Sequence, residues 1–281
     1  MNAINDELII EPGRSFRHYW HDLWRYRELF YILAWRDVAV RYKQTVAGAA
    51  WAVVQPLMSM VIMTVIFGKI AGLPSEGGAP YPIMVFAAML PWQFFSNSLS
   101  SSSQSIVGNA NLISKVYFPR LIIPTSSVVV SFIDFLVAGS VLLAMMLWFQ
   151  FWPTWRVVTL PLFVVLAILA ALGPGLIITA LMVRYRDFRM VLPFIVQFGL
   201  YVSPVAYSSS VVREKFGETV FLLYSLNPMV GVIDGFRWAL LGGASNLYWP
   251  GFLVSALLTV VLCAIGLRYF RSTERAFADL I

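Results

Sequence analysis

Charged residues divide this chain into six long windows that carry no charge, or only one. They run over 44–68, 77–114, 121–155 (with Asp134 alone inside), 157–183, 190–212 and 238–267. About 20 apolar residues suffice to cross the hydrocarbon layer as a helix, and every window is long enough. The pattern predicts six transmembrane helices at approximately 47–68, 82–106, 121–148, 158–183, 190–208 and 247–267. The expected fold class is therefore all-α, a polytopic membrane protein.

The segments between the windows differ in character. Residues 14–31 place Phe16, Tyr19, Trp20, Leu23, Trp24, Phe30 and Tyr31 at helical spacing, with Arg17, His21, Asp22 and Arg25 opposite. That pattern is too charged to span and amphipathic enough to lie in the headgroup layer, or to pack on the protein itself. Residues 1–46 thus form an amino-terminal segment with an interfacial helix, and no apolar stretch there suggests a cleavable signal peptide. Residues 209–243 are too long for a turn and too apolar for a free loop. Around Asn227-Pro228 they predict two short helices that dip back into the membrane as an outer re-entrant segment. A tail follows at 272–281.

Within the spans, Gln55-Pro56 predicts a kink and Gly173-Pro174-Gly175 a flexible point. The run Ser96 to Ser105 would be costly against lipid tails, so it should pack on neighbouring helices or line a wet cavity.

Composition agrees with this picture: 59% hydrophobic residues and 12% charged, where soluble domains carry about 25% charged. The net charge of +6 is explained by orientation rather than by nucleic acid. With the amino terminus in the cytoplasm, 15 of the 20 basic residues fall in inside segments, leaving Lys69, Arg156, Arg213, Lys215 and Arg237 outside. The positive-inside rule then places both termini in the cytoplasm, and Trp148, Trp152, Trp155 and Trp249 at the outer boundary. A single cysteine, Cys263, excludes disulfides and zinc clusters.

Catalytic chemistry finds few candidates. Asp134 is the ionisable residue deep in a span, so a pore-lining or proton-relay role competes with a packing role. His18 and His21 both lie in the amino-terminal helix and cannot join Asp134 in a nucleophile or metal site. No phosphate-binding loop occurs, because Gly68-Lys69 is followed by Ile70. ATP-driven work would therefore need an ATPase on another chain. Trp51, Trp92, Phe94, Phe95, Phe198, Tyr201 and Tyr207 could line a path, since aromatic faces suit the mixed surfaces of sugars. Belt or core positions are the competing reading.

Specific residues add a resemblance. The run Arg36-Asp37-Val38-Ala39-Val40-Arg41-Tyr42-Lys43-Gln44-Thr45, with Gly48, Trp51 and Gln55-Pro56, resembles the start of ABC-2 type polysaccharide export permeases. Further matches are Asn109 to Ile113, Lys115 to Arg120, Tyr185-Arg186-Asp187-Phe188, Ser203 to Tyr207, Asn227-Pro228 and Glu274-Arg275-Phe277-Ala278-Asp279. These proteins are membrane subunits of O-antigen, capsule and teichoic acid exporters. The resemblance implies a homodimer of six-span subunits in the bacterial inner membrane, with two copies of a separate ATPase beneath. That partner would bind ATP and Mg, while this chain is no enzyme and holds no cofactor or metal. The cargo implied is a lipid-linked, undecaprenyl-type glycan moving through a channel at the dimer interface.

The resemblance also implies roles for particular residues. Trp51, Phe198, Tyr201 and Tyr207 become channel candidates, joined by Trp92 and Phe95. Arg36, Asp37, Arg41, Lys43, Lys115, Tyr117, Arg120, Arg186 and Asp187 become contacts for the ATPase, and 209–243 the outer gate. An ABC-2 exporter of a small lipid or drug is the alternative, and a proton-coupled flippase resting on Asp134 a further one. A membrane-bound glycan enzyme would need clustered carboxylates or histidines, which the sequence lacks.

Overall fold

In the computed structural model the described residues are 16–43, 46–185, 187–243 and 245–277, and among them every regular element is helical. The order is α1 (Phe16–Arg25), α2 (Arg27–Lys43), α3 (Val46–Met63, prolonged by a wider turn over Thr64–Ile70), α4 (Tyr81–Gly108) and the short α5 (Ala110–Ile113). Then come α6 (Ile122–Trp148), α7 (Leu160–Arg184), α8 (Phe188–Val202), α9 (Ser209–Tyr224), α10 (Pro228–Leu241) and α11 (Trp249–Thr273).

Four stretches are long and apolar enough to cross a membrane: Ala50–Ile70, Ile122–Trp148, Trp155–Arg184 and Trp249–Thr273. The sequence predicts six. The second predicted span is α4, which at 28 residues is long enough but is diluted by its serines. The fifth is α8, whose 15 residues rise only about 22 Å against a hydrocarbon layer of ~30 Å. The segment expected to re-enter forms α9 and α10, bent by 117° to each other. Asn227 ends that bend by capping α10, its Oδ1 accepting from the Met229 N–H at 3.0 Å, with Pro228 fitted to the first helical position.

α4 is the axis of the bundle. Its residues Ile83 to Trp92 are all buried, against α6, α7 and α10. Aromatic rings knit these helices: Phe94 lies edge-on to Phe135 at 5.7 Å, and Phe135 edge-on to Phe236 of α10 at 6.0 Å. A second core closes the end where α1 begins and α11 finishes, from Leu33, Ile113, Phe118, Phe270 and Phe277, with Tyr19, Leu23 and Phe30 packed on it. One face of α1 therefore rests on the protein, while Trp20 and Trp24 stay exposed.

The serine run meets both expectations at once. Ser98, Ser102 and Ser103 are fully buried, and Thr179 of α7 donates to the Ser102 carbonyl at 3.0 Å. Ser101, Gln104 and Ser105 instead line an open cleft of about 310 Å³ with Asp37 and Arg41 of α2. At the far end Trp148, Trp152, Trp155 and Trp249 are all exposed, as indoles at a membrane boundary are.

Candidate functional site

The end where α1 begins and α11 finishes presents the polar residues expected to meet an ATPase. Arg36 donates to Asp37 Oδ1 at 2.7 and 2.9 Å and to Asn109 Oδ1 at 3.0 Å, tying α2 to the end of α4. Lys43, Lys115, Tyr117 and Asp187 are exposed, so their side chains are available to a docking partner. Arg186 lies outside the described residues, as do Gln44, Thr45 and Ala278-Asp279 of the quoted motifs. Arg120 has an internal use: its guanidinium donates to the Glu274 carbonyl, closing the carboxyl-terminal end of α11. Tyr19 donates to Glu274 Oε2 at 3.0 Å, and Arg271 lies 4.4 Å over the Tyr19 ring. Burial, then the Glu274 charge, raises the Tyr19 pKa, so its hydroxyl keeps the proton it donates.

Asp134 is buried but not solitary. Arg41 approaches Oδ2 at 2.6 Å, and Tyr42 donates to Oδ1 at 2.6 Å. Both partners come from the end of α2, which packs along α6. Desolvation, then the bond to Asp134, pushes Tyr42 up to about 12, and it stays a donor at neutral pH. A carboxylate held by a guanidinium and a phenol is suited to fixing α2 on α6. With one oxygen against Arg41 and the other taken by Tyr42, it is a fastening between the two helices. The basic partner comes from α2, outside the spans, where the charge pattern of the sequence does not show it.

The aromatic candidates separate into two groups. Trp51 on α3 and Phe198 and Tyr201 on α8 are 62%, 65% and 58% exposed. Trp92 is 4% exposed and Phe95 half-buried, their rings tilted against each other with centroids 5.4 Å apart. Trp92 also fills the space a side chain at Gly199 of α8 would need, its ring 2.7 Å from that Cβ position. Trp92 therefore packs α8 onto α4. Tyr207 is half-buried at the corner between α8 and α9, its hydroxyl 3.0 Å from that of Tyr224.

One residue of this region had no functional signal in the sequence. Arg237 counts among the outer cations by topology, yet it is completely buried in α10. Two others of that set are half-buried and stack on rings: Arg156 lies 4.9 Å over Trp238 of α10, and Arg213 of α9 4.8 Å over Tyr248.

Taken by architecture, the chain is a polytopic helical membrane protein in which a bent helix pair caps one end and a polar, exposed set of segments the other. It belongs to the ABC-2 type transporter family, whose pattern matches residues 28–241. It is 26% identical over 262 residues to the O-antigen export system permease protein RfbA of Myxococcus xanthus, covering 92% of this chain and 98% of that protein. A protein of the same name from Klebsiella pneumoniae is 26% identical, over 90% of this chain and 95% of its own. The polysialic acid transport protein KpsM of Escherichia coli is 23% identical over 86% and 92%.

Proposed function

We propose that this chain is the membrane subunit of an ATP-driven exporter that moves a lipid-linked polysaccharide, of the undecaprenyl-linked O-antigen kind, across the bacterial inner membrane. The observation that carries the reading is the likeness to polysaccharide exporters along almost the whole chain, from both the O-antigen and the polysialic acid side. In this reading two copies pair, each with a separate ATPase that binds ATP and Mg. Both termini face the cytoplasm, as the placement of 15 of 20 basic residues favours.

The geometry fits the division of labour. Lys43, Lys115, Tyr117 and Asp187 lie exposed at the end that would meet the ATPase. A stroke received at α5 would pass through the shared core to α2, α4 and α11, because Ile113, Leu33, Ile106 and Phe270 pack as one body. Trp51, Phe198 and Tyr201 offer stacking faces to a glycan on the side where a second copy would close the channel. The paired state of Asp134 favours this over a proton-coupled flippase.

The test is ATP hydrolysis by the chain purified with the ATPase encoded beside it, with and without lipid-linked glycan from the same cell. Co-purification and hydrolysis that responds to glycan are expected. A chain that binds no ATPase would overturn the reading, and hydrolysis stimulated by small lipids but not by glycan would replace the cargo.

A further inference from the structure

Three consecutive backbone carbonyls at the corner between α8 and α9 are each held by a side chain from elsewhere. Arg237 Nη2 donates to Val205 O at 2.8 Å, Tyr81 Oη to Ala206 O at 2.5 Å, and Arg237 Nη1 to Tyr207 O at 2.7 Å. The remaining guanidinium nitrogen, Nε, reaches Met84 O of α4 at 3.4 Å. Nη1 also lies 3.9 Å from Glu76 Oε2, and Glu76 is in turn fixed by Ser245 Oγ at 2.9 Å from its other oxygen. Arg237 has no exposed surface, and a buried guanidinium is tolerated only where its donors are taken.

Other contacts also hold the corner, Asn227 Nδ2 donating to Ser203 Oγ at 2.9 Å and the Tyr207 hydroxyl lying 3.0 Å from that of Tyr224, but neither takes its three carbonyls. Val205, Ala206 and Tyr207 lie between helices, so their carbonyls have no helical partners, and Ser203, Val205 and Ala206 are buried. Unpaired carbonyls there would be costly. The planar fork of arginine spans two carbonyls two residues apart, which the compact ammonium of lysine does not match.

We propose that Arg237 is the positioning residue that seals the outer gate. It pins the Ser203–Tyr207 corner, from which α9 departs, onto α10 and the head of α4, with Tyr81 as its helper. The proposal rests on the reading of α9 and α10 as that gate. It assigns Arg237 a role apart from topology, and makes the corner the place where the gate must loosen for a glycan to pass.

The experiment reconstitutes the chain with its ATPase into vesicles holding a small anionic dye and follows leakage without ATP. Arg237→Lys should raise the leak by about tenfold, and Tyr81→Phe, which removes one bond and leaves the ring, by about threefold. A third variant replaces residues 212–220 with a flexible linker and opens the gate directly. If that variant leaks while Arg237→Lys and Tyr81→Phe stay as tight as the parent chain, the pin is overturned and the gate reading survives. If the linker variant is tight as well, the gate reading falls and takes the pin with it. Should Arg237→Lys not assemble, Tyr81→Phe decides: parental tightness overturns the pin.

Discussion

At the residue scale, the pairing of Asp134 is the finding that most changes the function expected of a side chain. A lone acid inside a span invites a proton relay, whereas an acid paired at 2.6 Å with Arg41 and at 2.6 Å with Tyr42 is a fastening. The two ideas predict different mutants. Asp134→Leu leaves Arg41 without its carboxylate, and Arg41→Met leaves the carboxylate buried with only Tyr42. Each single change should lower stability in detergent, and the double change should cost less than their sum. Arg41 is 41% exposed, so solvent screens the pair, and a coupling of about 1 kcal/mol is expected in place of the 3–5 typical of breaking fully buried pairs. Thermal unfolding of the four proteins gives the cycle. Strict additivity, together with export that follows the proton gradient, would return Asp134 to a relay role. None of this was legible in the sequence. Tyr42 and Asp134 are 92 positions apart, and the charge pattern placed one in the cytoplasm and the other in the membrane. Only the path of α2 along α6 brings them together.

At the element scale, the charge-bounded windows foretold where helices lie, because a charged residue in lipid is costly and marks an end. What they could not foretell is how helices touch. Gly173-Pro174-Gly175 reads as a flexible point from its residue types, and Pro174 does sit inside α7. The structure makes it a crossing. A Cβ at Gly266 of α11 would lie 2.3 Å from the Gly173 carbonyl oxygen, and a Cβ at Gly173 would lie 2.8 Å from the backbone of Leu262 and Cys263. Small residues let membrane helices approach at backbone distance, and here the obstacle on each side is backbone that cannot swing away. Gly266→Ala should therefore separate α7 from α11 at a cost of about 1–3 kcal/mol. Gly139→Ala, on α6 where nothing lies within 4 Å, should cost little or even help, since alanine favours the helix. Comparing melting temperatures of the two variants checks the claim, and equal melting would refute it. The serine run shows the same limit: its spacing suggested either packing or a wet lining, and one helix serves both from neighbouring faces.

At the scale of the whole molecule, the question is which surface the cargo meets. The aromatic residues proposed for the channel looked equivalent in the sequence, since residue type carries no information on direction. Burial separates them. Trp92 is enclosed and props α8 against α4, so Trp92→Ala should empty a large volume, cost about 3–5 kcal/mol and lower the amount of folded protein. Phe198 and Tyr201 stand on the open face of α8, and Trp51 on the open face of α3. Truncating them removes little internal packing, so Phe198→Ala and Tyr201→Ala should leave membrane levels and ATPase binding near those of the parent chain. If this face lines the channel, glycan export should still fall, because each stacked sugar ring loses its partner. Stacking contacts of this size correspond to about 0.5–1.5 kcal/mol each, which is a few-fold in rate for one residue and about tenfold or more for the pair. A lipid-facing surface would behave otherwise, since alanine there changes neither packing nor cargo contact. Export measured by glycan appearing outside the cell, normalised to folded protein, separates the cases. A double variant that exports at the parental rate would move the path away from α8 and leave this face to lipid.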